Sequence, residues 1–216
     1  MKKNTDIKFD KNQITVLFNN VIKDQIVTLE FKPLNKYQLI CSNISIRNKS
    51  KSLHINSTDL RKINIHNLVK TSLKLIDKNI SLDQKKYDKF QSIYSPSFKI
   101  KDLTKLINKK LYSNRDELLS IYSLLYIKMQ RDFGENISKK LSDETKYKES
   151  YIKNLTKECF NQAYMKSSNK GLAGGILTNK ALKVLNLSLI HISEPTRPER
   201  IAYAVVWLKK KRGGGG

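Results

Sequence analysis

Residues 114–165 read NRDELLSIYSLLYIKMQRDFGENISKKLSDETKYKESYIKNLTKECFNQAYM. In the first part of this segment, apolar residues recur every three or four positions, at Leu118, Leu119, Tyr122, Leu125, Tyr126 and Met129. That spacing predicts a long helix from about 114 to 132 with one buried stripe, capped by Asn114 or Ser113. A Phe-Gly pair at 133–134 is predicted to end it.

A second, shorter helix is predicted over 135–141, followed by a polar turn over 142–145. A third helix is predicted over 146–165, with an apolar stripe at Tyr151, Ile152, Leu155, Cys159, Phe160 and Ala163. A long helix, a short helix, a turn and a basic helix, in this order, are typical of a helix-turn-helix. The C-terminal half is therefore predicted to be all-α.

The face of the third helix opposite its apolar stripe carries polar and basic residues. We interpret them as a DNA-binding face: Lys146, Lys148, Ser150, Lys153, Asn154 and Lys157. Lysine side chains neutralise phosphates, whereas Ser150 and Asn154 could reach the edges of bases in the major groove. The alternative is an ordinary solvated helix face in a lysine-rich chain.

The N-terminal third has the alternating pattern of β-strands. Strands are predicted over 14–18, 25–31 and 37–46, with a further short strand over 53–55. Tyr37, Leu39 and Cys41 are predicted on one face if no bulge intervenes. The expected result is a small antiparallel sheet with one wet face.

A helix is predicted to cover the dry face of this sheet. Its apolar positions are Ile65, Leu68, Val69, Leu73 and Ile76, which lie on one side of an α-helix. The predicted fold class is α+β, with a sheet-plus-helix module over 1–80. A linker over 81–112, with a short helix at 103–107, leads to a helix-turn-helix domain over 113–186. Near the end of this domain we predict a Gly-rich loop at 171–175 and then a last short helix whose first residues are 177–182.

The final thirty residues, 187–216, resemble translated DNA sequencing adapter. Residues 187–197 read LSLIHISEPTR, which matches a transposase-type adapter, and three further residues occupy the place of its index. Residues 201–208 resemble a translation of the flow-cell end of the adapter. GGGG at 213–216 is what a run of G bases, read when the sequencing signal is lost, would encode. We interpret this tail as non-biological and expect the reading frame to be truncated near Asn186. A natural tail with an apolar segment at 201–208 is the alternative.

The charge is strongly basic with or without this tail. The chain of 216 residues has 42 Lys and Arg against 19 Asp and Glu, and the tail holds six of the former and two of the latter. Residues 1–186 therefore keep 36 basic and 17 acidic side chains. Such a charge favours polyanions but not a specific one. Lys, Asn and Ile are abundant here and have A+T-rich codons, so the base composition of the genome is another explanation of part of the positive charge.

The end of the native part fits a motif of a known group of proteins. Residues 174–182 read GGILTNKAL, similar to the Gly-rich turn and L-T-x-x-A motif of poorly characterised bacterial helix-turn-helix proteins, best known from actinomycetes. Ser150, Ile152 and Cys159 fall near that family's helix-turn-helix motif, S-x-x-V…A-R-x-x-G-L-L. The resemblance extends over most of 10–186 and implies DNA binding.

The chain departs from that family at the end of the third helix. Phe160 stands where arginine is usual, and Ala163-Tyr164-Met165 replace Gly-Leu-Leu. The family brings no established activity, so the resemblance implies no catalytic residues.

The sequence gives little support for a phosphate-binding loop, a metal site or a reactive thiol. Gly171 and Gly174-Gly175 lack the preceding strand and the Gly-Lys-Ser/Thr of a phosphate loop, so we interpret them as a surface turn. His54 and His66 have no partners at metal-ligand spacing, and Cys159 is predicted to be a core thiol. We expect no enzyme activity, no cofactor and no metal.

The function we expect is double-stranded DNA binding, either sequence-specific or sequence-tolerant, by a bacterial transcription regulator or a mobile-element accessory protein. With two cysteines, no secretory signal and no run of eighteen apolar residues, we expect a cytoplasmic protein without a membrane partner, and homodimerisation stays open. Two alternatives remain. One is a non-catalytic protein-interaction module whose basic charge is compositional, and the other is a fragment of an enzyme whose active site lay beyond Asn186.

Overall fold

The computed structural model describes residues 5–10, 12–19, 21, 24–49, 55–82, 94, 98–167 and 175–193, without the side chains of Asp59 and of 188–193. The chain divides into two compact units, Met1–Lys99 and Ile100–Gly216. The first is built around an antiparallel sheet and the second is mainly helical. The predicted α+β class is therefore confirmed.

The first unit contains a four-stranded antiparallel sheet in which each strand pairs with the next along the chain. Its strands are β1 (Thr5–Asp10), β2 (Gln13–Asn19), β3 (Gln25–Asn35) and β4 (Gln38–Asn48). Strand β1 was not predicted, although Ile7 and Phe9 alternate toward the core as a strand requires. The short strand predicted over 53–55 lies outside the described residues except for Ile55, which is not in a strand.

A bulge between β3 and β4 decides which face β4 buries. Phe31 pairs with Cys41 but Glu30 pairs with Asn43, so Ser42 is an extra residue in β4. Its hydroxyl donates to the Glu30 carbonyl at 3.2 Å. Without this extra residue, the side chains that follow Cys41 would exchange faces.

With the bulge in place, β4 contributes to the core on both sides of Ser42. Leu39 and Cys41 before it, and Ile44 and Ile46 after it, all pack against the core cluster. The alternation predicted for β4 therefore applies as far as Cys41, and after the bulge at Ser42 it is shifted by one residue.

Two helices follow the sheet, α1 (Ser57–Arg61) and α2 (Ile65–Leu82). Helix α2 covers the apolar face of the sheet, as predicted. Its buried apolar side chains are Leu68, Leu73, Ile76 and Ile80, each contributing about 1.5–3 kcal/mol by burial. Ile65, predicted in this stripe, is 45% exposed because it opens the helix.

Most described residues of the predicted linker over 81–112 belong to one of the two units, and the short helix predicted within it over 103–107 lies inside a helix that spans Ile100–Asn108. Leu82 still belongs to α2, and Tyr94 is fully buried in the core of the first unit with its hydroxyl donating to Asp77 Oδ1 at 2.6 Å. The Phe98 ring lies 6.2 Å from that of Tyr37. Isolated aromatic residues in a charged segment have no periodicity, so the pattern did not reveal them.

The second unit has five helices and a hairpin among its described residues. They are α3 (Ile100–Asn108), α4 (Arg115–Phe133), α5 (Ile137–Thr145), α6 (Glu149–Asn161), β5 (Met165–Ser167), β6 (Gly175–Leu177) and α7 (Asn179–Ser193). Helix α4 contacts the four others, and α5 contacts both α3 and α6. The three helices predicted as a helix-turn-helix, α4 to α6, therefore share one core.

The polar turn predicted over 142–145 lies inside α5, so that prediction is wrong. Thr145 Oγ1 donates to the Leu141 carbonyl at 2.6 Å, within the helix. The turn follows at 146–148, where Lys146 has a left-handed backbone with φ 59°. Residues with cap-forming side chains do not end a helix when their hydroxyls bond within it.

The third helix was predicted over 146–165 but is shorter at both ends. It ends at Asn161 because Ala163 adopts φ 57°, which turns the chain out of the helix. The Tyr164 amide then donates to the Cys159 carbonyl at 2.8 Å and the Ala163 amide to the Phe160 carbonyl at 3.1 Å. These two bonds form a Schellman motif.

The antiparallel hairpin β5–β6 follows this motif. Of the loop predicted over 171–175, Gly175 begins β6 and the rest lies outside the described residues. The last helix, α7, is longer than the predicted short helix and continues through 187–193 of the adapter-like tail. Residues 194–216 are not described.

Candidate nucleic-acid interface

Helix α6 buries one side and exposes the other. Ile152, Leu155 and Cys159 are at most 1% exposed and form its inner face. All six residues predicted to bind DNA are exposed: Lys146, Lys148, Ser150, Lys153, Asn154 and Lys157. The structure thus brings the four helical members of this set to one outward side, spanning two helical turns.

Three members of the predicted apolar stripe are not buried. Tyr151 and Phe160 are 37% and 36% exposed, and Ala163 lies exposed beyond the helix. The buried face is therefore narrower than predicted. Tyr151 and Phe160 lie on the two flanks between the inner face and the outer face.

The position of α6 is fixed by hydrogen bonds between buried groups of α4 and α6. The Tyr122 hydroxyl, fully buried, lies 2.6 Å from Thr156 Oγ1 and donates to the Ile152 carbonyl at 3.2 Å. The Cys159 thiol donates to the Leu119 carbonyl at 3.6 Å. These bonds set the rotation of α6 about its axis, so the direction of its outer face is defined.

A surface ion pair adds a second attachment between the same helices. Arg115 binds Glu158 with both arms of its guanidinium, with Nε 3.0 Å from Oε1 and Nη2 on Oε2. Its Nη1 also donates to the Tyr151 hydroxyl at 3.2 Å. This guanidinium lowers the pKa of the Glu158 carboxyl, which stays ionised at neutral pH.

The positive charges of the candidate face are only partly neutralised. Lys153 Nζ lies 2.8 Å from Glu149 Oε1, and its side chain is still 64% exposed. Within the described part of the chain, no acidic side chain pairs with Lys146, Lys148 or Lys157. Three cations on this side therefore remain available to an anionic partner.

Two of the predicted residues are not on the helix. Lys146 belongs to the turn after α5, and Lys148 occupies the N-cap position of α6 with extended backbone. They lie at the amino end of α6, whereas Ser150 to Lys157 lie along it.

The hairpin that follows α6 was not predicted. Its first strand contacts α6 and carries the exposed Lys166. Lys180 of α7 fixes this region, because its Nζ donates to the Gln162 carbonyl at 3.2 Å and lies 4.1 Å from the centre of the Tyr164 ring. Strands of three residues are too short to give an alternating signal.

Metal ligation and thiol reactivity depend on the His, Cys, Asp and Glu side chains in the part of the chain that the structure describes. No cluster of three His, Cys, Asp or Glu side chains there is arranged to hold a metal ion. Burial raises the pKa of the Cys159 thiol to about 11, which keeps it protonated at neutral pH, as suits a core position. None of the helices described is both long and apolar enough to cross a bilayer.

No protein-family model matches this chain, and comparisons with curated proteins and with solved structures find no match. The resemblance to bacterial helix-turn-helix proteins stays a prediction from the motifs quoted above.

Proposed function

We propose that this protein binds double-stranded DNA through the outer face of α6, as a bacterial transcription regulator or a mobile-element accessory protein. The observation that carries the proposal is the contrast between the two sides of α6. Its inner side is tied to α4 by Tyr122, Cys159 and Arg115, while its outer side presents Ser150, Lys153, Asn154 and Lys157 to solvent.

The chemistry of this outer face suits a duplex. Each lysine that neutralises a phosphate releases counterions, which adds about 0.9 to the slope of log affinity against log salt. Asn154 can donate to and accept from an adenine edge, and Ser150 can bond to either kind of base. The excess of 36 basic over 17 acidic side chains in residues 1–186 adds long-range attraction to the same partner.

The test is duplex affinity measured across salt concentrations for the full chain and a double variant, Lys153→Ala with Lys157→Ala. The variant is expected to bind any duplex more weakly and to flatten the salt slope by about two. The matched control is Lys74→Ala with Lys78→Ala, which removes two exposed lysines at the same spacing from α2. A control that loses as much slope as the α6 variant would show that charge alone matters.

A second function, a protein-interaction module, is favoured by one observation. Helix α6 exposes Tyr151 and Phe160 on its two flanks, and it contains two lysines and two glutamates, so its side chains carry no net charge. Exposed aromatic residues on a helix without net charge are typical of protein contacts. This function predicts no duplex affinity beyond weak, salt-labile adhesion that Lys153→Ala and Lys157→Ala leave unchanged.

A further inference from the structure

An open cleft lies between α3 and the C-terminal end of α5. Its volume is about 400 Å³, and it is lined by Lys101, Thr104, Lys105, Asn108, Lys109 and Glu144. None of these residues belongs to the candidate face of α6. The α3–α5 cleft is therefore a separate place in the second unit where a ligand could be held.

Three lysines form one side of the α3–α5 cleft. Lys101 and Lys105 lie on α3 and Lys109 directly follows its last residue, and because they are four residues apart they lie in a row with about 6 Å between neighbours. All three are exposed, and among the described residues no acidic group pairs with them. With Glu144 as the one carboxylate in the lining, the cleft favours an anion.

Thr104 adds an unused hydrogen-bonding group to the wall of this cleft. The residue is only 6% exposed, and its Oγ1 is buried without a hydrogen-bond partner. A threonine in a helix ordinarily donates to the carbonyl four residues earlier, and a buried hydroxyl without a partner is unfavourable. Because Oγ1 is buried, the Thr104 side chain must rotate toward the cleft lining to meet a ligand oxygen there, and that bond would supply the missing partner.

Asn108 connects the cleft to the helix-turn-helix. Its Nδ2 donates to the Glu144 carbonyl at 3.1 Å, one residue before the end of α5 and two before Lys146. The row of lysines on α3 therefore lies beside the turn that leads into α6.

We propose that the α3–α5 cleft binds phosphate groups, with Lys101, Lys105 and Lys109 supplying charge and Thr104 a hydroxyl donor. The phosphate is either that of a DNA backbone or free inorganic phosphate. The DNA source rests on the function proposed above, because the duplex must first be held by α6. The phosphate chemistry of the cleft does not depend on it.

The first arm of the test measures duplex affinity across salt for the full chain and for Lys101→Gln, Lys105→Gln and Lys109→Gln combined. If the cleft holds backbone phosphates, the triple variant loses about two to three from the salt slope. The matched control is the triple variant of Lys70, Lys74 and Lys78 to Gln, which removes the same charge at the same spacing from α2. The control should keep the parent slope.

The second arm titrates inorganic phosphate into the full chain and follows backbone amide signals by NMR. The amides of Thr104 and Asn108 are expected to shift, and Thr104→Val should weaken phosphate binding about tenfold or more while its melting temperature stays equal or rises. If the Thr104 hydroxyl only stabilised the fold, Thr104→Val would lower the melting temperature. Weaker phosphate binding without a lower melting temperature therefore indicates a contact with the ligand.

The two arms separate this proposal from the function proposed for α6. A parent that binds no duplex but shows phosphate shifts at Thr104 and Asn108 supports the cleft and contradicts DNA binding. A parent that binds duplex, with an unchanged slope in the α3 triple variant and no phosphate shifts, overturns the cleft alone. Phosphate binding that Thr104→Val leaves unaltered also overturns it.

Discussion

Ala163 holds a left-handed backbone immediately after α6, at φ 57°. A side chain in this region costs about 1–2 kcal/mol relative to glycine, which adopts it freely. The Schellman bonds at Tyr164 and Ala163 require this conformation, so the cost is imposed by the way the chain enters β5.

Ala163→Gly is therefore expected to stabilise the protein by about 0.5–1 kcal/mol, after the extra flexibility of glycine in the unfolded chain is subtracted. Chemical denaturation measures the change. The matched control is Ala181→Gly, a buried position inside α7, which should lose about 1 kcal/mol. If both substitutions destabilise equally, the left-handed strain at Ala163 has been overestimated.

Some features at this scale were predictable and others were not. Asn114 was one of two predicted caps because its side chain and the pattern after it are local features. The left-handed alanine was not predicted, since only glycine or asparagine signals such a position. Exposure of Tyr151 and Phe160 depends on how closely α4 and α5 approach, which a helical stripe does not show.

At the scale of elements, the start of α4 is fixed by its N-cap. Asn114 Oδ1 accepts from the Glu117 amide at 2.9 Å, and Glu117 Oε2 accepts from the Ser113 amide at 2.6 Å. Because α4 contacts the other helices of its unit, a change in the conformation of its first turn would alter the packing of all of them.

Asn114→Ala is expected to lower the free energy of unfolding by about 1 kcal/mol, since it removes the cap. Ser113→Ala, the other predicted cap, should change stability by less than about 0.5 kcal/mol because its side chain does not cap the helix. Thermal denaturation of the two variants decides between them. Equal losses would contradict the assignment of Asn114 as the cap.

The ion pair between α4 and α6 predicts a dependence on pH. The Arg115 guanidinium lowers the pKa of Glu158 below its ordinary value of 4.5 in the folded state. A carboxyl with a lowered pKa contributes stability at neutral pH, and that contribution is lost as the pH falls through the folded pKa. Both side chains are partly exposed, so the effect is modest.

Glu158→Gln should therefore reduce the melting temperature slightly at pH 7, and the difference from the parent should shrink toward pH 3. Glu135→Gln, which alters an exposed carboxylate of the same unit, serves as the control. A gap between Glu158→Gln and the parent that stays constant from pH 7 to pH 3 would contradict a role for the ionised pair.

The order of helices was predictable but their limits and the hairpin were not. The stripes that produce α4, α5 and α6 are periodic over several turns, which makes them visible in a single sequence. The boundary at Thr145 was misplaced because its hydroxyl bonds back to Leu141 instead of capping the next helix. Strand β4 was predicted, but the extra residue Ser42 depends on its pairing with β3.

At the scale of the whole molecule, two units each form their own core, and the charge is spread over both. The first core is formed by the sheet and α2, and the second is built around α4. The boundary at Lys99 and Ile100 lies inside the predicted linker, because Tyr94 belongs to one core and Leu103 to the other.

The most direct measurement of the central proposal is an amide map of the full chain by NMR during titration with a DNA duplex. DNA binding through α6 predicts that the largest shifts in the second unit include Ser150, Lys153, Asn154 and Lys157, and that high salt reverses them. A duplex that shifts other amides and leaves these four unchanged, or that shifts no amide at low salt, would contradict DNA binding through α6.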